Sequence, residues 1–520
     1  MVAGIARTTG VVVIINLIVK LFGFLREAFI AHGFGASATT DAYLVAYTLP
    51  YFLQAILGFA LITLVVPVLT KYWAAGDNEG GNRLASSLIN LTLIFLAVLS
   101  VLGIVFARGL VFITAPNLPA ETAEVAVRLT RIMFPSVMLM GVAMVVNGIN
   151  NSCHRFIAGA SAPGVSNLII ILGVIFFASF GIDSLAWATL ISFVGFLIVQ
   201  ILPLRKQGFK YYKICDYRHP AIRKALKDIL PIVIGVAVNQ IYFAINRIFA
   251  SGMSEGSISA LNYASKLMNL PVGIFVAAIA AVIYPVLAEN ALENNKTSLA
   301  LTINKGLGMV SIIAIPSAVG LMVLRTPIVV LVFERGAFTS YATQITAYAL
   351  LFFCIGLVAV AANMVITRAY YATGDVRTPV WMGLISIAIN VIFSFILLGP
   401  LAHGGLALAN SLAALVNTIL LFFFLQRKFP ALGGRGFFIS LGKMLAASII
   451  MGLVVWGLYK LLLSFVPVGT FGLALNVIIT IGVGGVVYLL LCALFKVDEF
   501  VAFMLFFQRK LKRLDKSANN

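Results

Sequence analysis

Long apolar segments, separated by short polar ones, run along the whole chain. Each is about 20 residues or longer, the length that a helix needs to cross the hydrocarbon core of a bilayer. The pattern predicts about fourteen transmembrane helices, at residues 9–31, 41–70, 84–107, 124–150, 160–180, 184–204, 228–251, 258–288, 306–324, 343–369, 379–398, 403–426, 438–463 and 471–495. The predicted fold class is therefore an all-α polytopic membrane protein without a soluble domain.

The composition agrees with this prediction. Apolar residues make up 62% of the chain and charged residues 10%, whereas soluble domains carry about 25% charged residues. The net charge of +19 fits basic cytoplasmic loops better than nucleic-acid binding, because the charges lie between the spans and not in one patch. The four cysteines have no metal-ligand spacing.

Basic residues also predict the orientation. Residues 205–227 hold eight Lys and Arg residues, and more follow after residue 495. Alternate loops contain neither Lys nor Arg, namely 32–40, 181–183, 252–257 and 399–402. The positive-inside rule then places the basic segments and both termini in the cytoplasm.

The chain repeats its own plan after about 217 residues. The stretches that start at Leu102 and Leu321 share a helix end, an Arg, a short apolar segment, a polar loop and a new helix. Two lobes of six helices in the same orientation are predicted, with the last two helices outside the repeat. The predicted divisions are an N-lobe at 1–204, a cytoplasmic linker at 205–227, a C-lobe at 228–426 and a carboxy-terminal helix pair with a basic tail at 427–520.

The first two predicted helices carry charges at depths where charge is costly. Lys20, Arg26 and Asp41 lie in or beside apolar spans, and a charge at the middle of a membrane helix costs roughly 2.5–3.5 kcal/mol on insertion scales. We therefore expect these side chains to face an aqueous cavity and to bind substrate. Gly23 and Pro50 are the predicted hinges, because both residues favour helix bending close to these charges.

The second lobe offers polar residues at helical spacing. They are Asn239, Tyr242 and Asn246 in the seventh predicted helix, and Asn262, Lys266 and Asn269 in the eighth. Arg247 and Lys266 are the candidate substrate-binding cations, in a site expected between the lobes. The alternative for each cation is a snorkelling residue or a buried ion pair, above all for Arg247, which lies about one turn from its helix end.

A cavity with cations and few carboxylates favours an anionic ligand such as a phosphate. The sequence contains neither a nucleophile elbow nor a phosphate loop. A transporter is therefore predicted, not an enzyme, and no cofactor is expected.

Three stretches carry a family resemblance. They are FGFLREAFIAHGFGASATTDAYLVAYTLP at residues 22–50, FERGAFT at 333–339 and RAYYATGDVRTPV at 368–380. Over essentially the whole chain, the sequence resembles the MurJ (MviN) lipid II flippase family of the MOP exporter superfamily. The resemblance implies that an undecaprenyl-diphosphate-linked peptidoglycan precursor crosses the bacterial cytoplasmic membrane by alternating access, in support of cell wall biogenesis and cell shape.

The resemblance also implies functional positions. The family's basic and acidic positions fall on Lys20, Arg26, Asp41 and Lys266, and its final helix pair, which forms a lipid-tail groove, matches the last two predicted helices. Lys20 and Lys266 stand where the family usually has Arg, and the Arg near Gln54 and the acidic motif near residues 58–60 are missing. A flippase for another polyprenyl-linked oligosaccharide and a cation-coupled drug exporter therefore remain alternatives.

Some members of the family bind sodium in the second lobe. Asn239, Asn390 and Asn417 are weak candidate ligands here, with interhelical hydrogen bonding as the more ordinary explanation. Coupling to sodium, to protons or to the membrane potential is left open. The protein is expected to be a monomer among membrane lipids, with cell-wall synthesis proteins as candidate partners.

Overall fold

A computed structural model describes residues 2–206, 208–223, 240, 244–293, 295–465 and 469–500. These ranges are helical and contain no strand, which confirms the predicted fold class. Asn239, Tyr242, most of the predicted span 228–251 and the tail after residue 500 lie outside them.

The chain forms two units, and each is described by itself. The first comprises Met1–Ser259 with Arg335–Ala342, and the second comprises Ala260–Glu334 with Thr343–Asn520. Neither unit is one continuous stretch of sequence, whereas each predicted lobe is. The limits of the predicted lobes and linker stay predictions.

The first unit contains eight α-helices before the basic linker. They are α1 (Val2–Phe34), α2 (Ala38–Ala74), α3 (Asn78–Val105), α4 (Ala107–Thr114), α5 (Ala120–Met133), α6 (Ser136–Ser152), α7 (Phe156–Phe177) and α8 (Ile182–Lys206). Polar turns precede α2 and α3. Ser37 Oγ accepts a hydrogen bond from Thr40 N over 3.4 Å at the start of α2, and Asp77 Oδ1 accepts one from Gly80 N over 2.8 Å at the start of α3. These caps satisfy N–H groups that a helix start leaves without partners.

The later helices begin with α9 (Ser257–Pro271). They continue as α10 (Ala277–Leu292), α11 (Lys296–Val323), α12 (Arg325–Phe333), α13 (Ser340–Ala372), α14 (Arg377–Lys428), α15 (Arg435–Leu462) and α16 (Thr470–Leu494). A π-helical turn, Val272–Val276, joins α9 to α10 directly after Pro271. Proline has no N–H to donate, so a wide turn at this point has a local cause. The predicted span 258–288 is found as one membrane-length helical stretch, Ser257–Leu292, with this π-helical turn inside it.

The 52 residues of α14 fold back on themselves. A straight helix of this length would measure about 78 Å, far more than a bilayer crossing. Ala402 breaks it with φ 47° and ψ −134°, and Lys428 at its end forms an ion pair with Asp375 just before its start. The predicted spans 379–398 and 403–426 are therefore the two halves of α14.

Eleven helices in the described ranges are long and apolar enough to cross a membrane, and α14 is counted once among them. The helix α1 and the predicted span 228–251 are not in this set. A multi-pass membrane protein is therefore confirmed, whereas the number fourteen and the orientation of the termini stay predictions.

The predicted repeat is visible in the backbone. Helix α3 ends in a break at Phe106 (φ −90°, ψ 15°), and α11 ends in an equivalent break at Leu324 (φ −97°, ψ 19°). After both breaks a short apolar helix (α4 or α12) is followed by a loop and a further helix (α5 or α13). The two stretches that start at Leu102 and Leu321 thus adopt the same local structure.

Candidate substrate-binding site

Arg26 lies on α1 in a polar cluster of the first unit. Its Nη2 donates to Glu27 Oε1 over 2.6 Å, and its Nη1 donates to Asn167 Oδ1 of α7 over 3.1 Å. The Arg26 side chain is 21% exposed and that of Glu27 is 6% exposed. Within the described ranges, Arg26 Nε is buried without a hydrogen-bond partner. The guanidinium is therefore held in place and keeps N–H donors for a further acceptor.

Asn167 of α7 contacts two residues of α1 in this cluster, and the sequence analysis did not identify it as a functional residue. Its Nδ2 donates to the Val19 carbonyl over 3.5 Å, while its Oδ1 accepts from Arg26. One amide thus contacts both the backbone and the cation of α1. Sequence reasoning could have found Asn167, because it is a polar amide inside the apolar predicted span 160–180.

Three tyrosines form a row on α2, and two of them lie near Arg26. Tyr43, Tyr47 and Tyr51 are spaced four residues apart, with ring centroids 6.0 Å apart for the first pair and 5.8 Å for the second. Tyr43 and Tyr47 lie within electrostatic range of Arg26, and the Tyr43 hydroxyl contacts Thr189 Oγ1 at 2.9 Å. The spacing of four was readable from the sequence, because residues four apart share a helix face.

Lys20 and Lys266 are both exposed, on α1 of the first unit and α9 of the second. Arg26 and Glu27 are neighbours in α1, where successive side chains leave the helix about 100° apart. The structure shows that Arg26 reaches Glu27 nonetheless, because adjacent long side chains can converge above the helix surface.

The carboxylate of Asp41 is hydrogen-bonded to residues of the same chain. Its carboxylate is buried at 4% exposure and accepts hydrogen bonds from Gly256 N over 2.8 Å, from Ser259 N over 2.7 Å and from the Ser259 hydroxyl. Arg247 interacts with it electrostatically. Asp41 thus caps the start of α9, where a negative charge is favoured. The predicted direct contacts of Asp41 and Arg247 with substrate stay predictions, and a ligand of Asp41 must first displace these donors.

Neither predicted hinge interrupts its helix here. Helix α1 is continuous through Gly23, and α2 is continuous through the buried Pro50. A Cβ at Gly23 would lie 3.5 Å from Asn167 Nδ2, an ordinary contact distance. The hinge roles of Gly23 and Pro50 therefore stay predictions. The π-helical turn after Pro271 is the irregularity that the prediction missed.

The weak sodium candidates are only partly described. Asn390 and Asn417 lie on opposite sides of the break at Ala402, and Asn239 is outside the described residues. Asn390 is 1% exposed, and Asn417 Oδ1 is a buried atom with no hydrogen-bond partner in the described part of the chain. A buried amide oxygen of this kind fits a hard cation. The described residues contain no cluster of three His, Cys, Asp or Glu residues for a metal ion.

These features define a class of protein. An all-helical membrane fold with a repeated plan and an Arg cluster on an apolar helix is that of a polytopic membrane transporter. The family model described as "Lipid II flippase MurJ" matches residues 30–476. The chain belongs to the MurJ family.

Relatives and solved structures agree with this assignment. The chain is 30% identical to a probable lipid II flippase MurJ of Buchnera aphidicola subsp. Acyrthosiphon pisum, over 92% of this chain and 94% of that protein. It is 29% identical to the lipid II flippase MurJ of Burkholderia cenocepacia, over 85% and 88%. A solved structure of lipid II flippase MurJ in an inward closed conformation aligns with a TM-score of 0.79 and 27% identity, over 94% of this chain and 99% of that one.

A more distant structure shows the fold alone. The inward-facing conformation of a multidrug resistance MATE family transporter of the MOP superfamily aligns with a TM-score of 0.68 at 18% identity, over 81% of this chain and 98% of that one.

Proposed function

We propose that this protein is a lipid II flippase, which moves a polyprenyl-diphosphate-linked peptidoglycan precursor from the inner to the outer leaflet of the cytoplasmic membrane. The observation that carries the proposal is the Arg26 cluster: a guanidinium on an apolar helix, held by Glu27 and Asn167, whose Nε has no hydrogen-bond partner among the described residues. Membership of the MurJ family agrees with it. The protein is a transporter in this proposal, and it forms no covalent intermediate.

Arg26 suits the diphosphate of such a substrate. A guanidinium binds two phosphate oxygens at once, and the attraction strengthens where water is scarce. Glu27 occupies one side of Arg26 in the structure. We infer that an incoming diphosphate competes with Glu27 for the guanidinium, so that the charge of Arg26 is compensated before and after substrate release.

Lys20 supplies a second charge on the same helix. Six residues separate it from Arg26, which corresponds to about 9 Å along the helix axis. A lysine is a point charge on a flexible stem, so Lys20 can follow a substrate that moves. Lys266 completes the predicted set of cations, and its role rests on the family resemblance.

Alternating access fits the repeated plan of the two units. In transporters built from repeats, motion occurs largely as rocking of one repeat against the other. The π-helical turn at Val272–Val276 follows Lys266 on the same continuous stretch of helix. Turns of this kind recur at functional sites. We infer that this turn, in addition to the predicted hinges at Gly23 and Pro50, absorbs backbone change during transport.

Complementation tests the proposed substrate. The gene is expressed in a host whose own lipid II flippase is depleted, and growth and the lipid II of each leaflet are measured. Restored growth with lipid II in the outer leaflet supports the proposal. A protein that reaches the membrane in normal amount without restoring either would instead favour another polyprenyl-linked oligosaccharide, a possibility kept open by Lys20 and Lys266 at positions where the family usually has Arg.

The energy source is a separate proposal. Asn417 offers a buried oxygen without a partner in the described ranges, and sodium is our first candidate for coupling, ahead of protons and the membrane potential. A ligand that binds only the folded state raises the melting temperature. Sodium, compared with potassium at equal ionic strength, should therefore raise the melting temperature of the purified protein, and Asn417→Ala should remove that difference. Equal melting temperatures in both salts would favour the other two sources.

Location and partners complete the proposal. We infer a monomer in the cytoplasmic membrane with both termini in the cytoplasm, supported by the basic segment 205–227 and the basic tail. Cell-wall synthesis proteins are the proposed partners, since they would use the substrate that the flippase delivers.

A further inference from the structure

Residues 211–216 of the basic linker are hydrogen-bonded to α3. Tyr212 N donates to Ser86 Oγ over 3.1 Å, and Asp216 N donates to Ser87 Oγ over 2.7 Å. Asn90 Nδ2 donates to the Tyr212 carbonyl over 3.1 Å. Residues 208–223 therefore form a strap whose backbone has a defined position on the first unit.

An apolar groove opens beside this strap. It has a volume of about 320 Å³ and lies between α2 and α3, with Leu64, Leu88 and Phe95 among its lining residues. The strap contributes Tyr217, Ala221 and Ile222 to its wall. Phe95 is 62% exposed, so the groove is continuous with the surface that faces lipid. Its apolar lining suits a hydrocarbon chain.

A cation lies next to Tyr217, which lines the strap side of the groove. Arg218 Nε donates to the Tyr217 hydroxyl over 3.2 Å, and the Arg218 guanidinium carbon lies 5.5 Å from the centre of the Tyr217 ring. Tyrosine and arginine are typical at the level of lipid headgroups, where an apolar body meets a polar tip. Both side chains are exposed.

The segment that includes the strap is strongly basic. Residues 205–223 carry six Lys and Arg residues against one acid, Asp216. Those six side chains are all exposed. Basic segments at the cytoplasmic ends of membrane helices attract acidic lipids by about 1 kcal/mol per cation near the surface.

We propose that this groove is a binding site for one acidic phospholipid of the leaflet next to the strap. One acyl chain lies in the groove between α2 and α3, and the phosphate contacts Arg218. The basic-residue rule places the strap in the cytoplasm, which makes that leaflet the inner one. The site does not depend on the proposed transport function, since its residues are not those of the Arg26 cluster.

The test is native mass spectrometry of the purified full-length protein with equal amounts of phosphatidylglycerol and phosphatidylethanolamine of the same chain length. We expect the phosphatidylglycerol complex to dominate. Arg218→Gln should lower its excess over phosphatidylethanolamine about fivefold, the equivalent of about 1 kcal/mol. Arg435→Gln removes an exposed charge at the start of α15 in the second unit and should change nothing.

A second pair of variants tests the groove. Leu88→Trp fills it and should reduce phosphatidylglycerol binding while Arg218 is unchanged. Leu453→Trp, at a side chain 66% exposed on α15, is the matched control and should retain the lipid. Equal binding of both lipids to the unaltered protein, or binding unaffected by both Arg218→Gln and Leu88→Trp, would overturn the proposal. An added polyprenyl phosphate provides a last outcome. It could displace phosphatidylglycerol from the unaltered protein and from Leu453→Trp, but not from Leu88→Trp. That result would assign the groove to a prenyl chain and would also overturn the proposal.

Discussion

Asn167 Oδ1 accepts a hydrogen bond from Arg26 Nη1 over 3.1 Å, so a residue of α7 fixes the orientation of a cation carried by α1. The same amide donates to the Val19 carbonyl. The orientation of Arg26 therefore depends on the packing of two helices as well as on its neighbour Glu27.

Asn167→Leu should impair transport without loss of protein. Hydrogen bonds to charged groups contribute about 1.5–3 kcal/mol, so a decrease of about tenfold or more in flipping is expected. Flipping is measured in proteoliposomes with a labelled polyprenyl-diphosphate substrate. Ser166→Ala is the control, because Ser166 donates to Ser192 Oγ over 2.9 Å, whereas Arg26 donates to Glu27 and Asn167. Equal loss in both variants would indicate damage to helix packing.

Arg26→Ala should abolish complementation. The change also removes the 2.6 Å partner of the buried Glu27, which can lower protein abundance on its own. The double variant Arg26→Ala, Glu27→Ala separates the two effects: abundance should recover and growth should not. Growth of the double variant at the normal rate would show that Arg26 is dispensable for binding.

Lys266→Ala should likewise abolish complementation at normal abundance, whereas Lys266→Arg should be tolerated. Arginine keeps the charge and adds a bidentate geometry for phosphate. Quantitative blotting of the membrane fraction provides the abundance, and normal growth of the alanine variant would remove Lys266 from the binding site.

Gly23→Ala distinguishes a hinge from a packing residue. The added Cβ would lie 3.5 Å from Asn167 Nδ2, so alanine fits without displacement. A hinge should lose transport with alanine, because alanine stabilises the helix by about 1 kcal/mol relative to glycine, while abundance stays normal. If alanine has no effect and Gly23→Leu reduces abundance, then Gly23 is a packing residue and the backbone change lies elsewhere, with the turn after Pro271 as the next position to examine.

The orientation is tested by cysteine labelling with an impermeant reagent in a variant without the four native cysteines. Position 37 is in the predicted external loop, but Ser37 caps α2, so the exposed Thr39 is the better site. Thr39→Cys should be labelled in intact cells, and Lys210→Cys only after permeabilisation. The reverse pattern would invert the predicted topology.

The Asp375 ion pair predicts a pH effect on stability. Burial alone would raise the pKa of Asp375, but hydrogen bonds from Lys428 and Thr378 outweigh it and lower the pKa to about 2. The folded-state pKa is thus below the usual value, so the stabilisation is complete above about pH 4 and is lost as the pH falls towards 2. Asp375→Asn should lower the stability at pH 7 by about 1 kcal/mol, a value reduced for screening of this partly exposed pair.

Thermal unfolding of the purified protein between pH 2 and pH 7 measures this effect. The difference between the native protein and Asp375→Asn should shrink below pH 4. A difference that is constant over the whole range would show that the carboxylate charge is not responsible.

The local features of this protein were determined by its sequence alone. Apolar segments of membrane length specify helices, because a backbone in lipid must satisfy its own hydrogen bonds. The repeat and the three family stretches were equally readable, and the equivalent breaks at Phe106 and Leu324 confirm the repeated plan. The cations Lys20, Arg26 and Lys266 were identifiable for the same reason, since charge in an apolar span is costly wherever the helix packs.

Only the tertiary structure decided which polar groups meet. Arg26 and Asn167 are 141 residues apart, and Asp41 and Ser259 are 218 residues apart. Periodicity within one helix identifies a polar face but does not identify the helix opposite it, so the contact of Asp41 with the start of α9 was not predictable. The same limit applies to the strap on α3, because its contacts with Ser86, Ser87 and Asn90 depend on chain packing that no local pattern records.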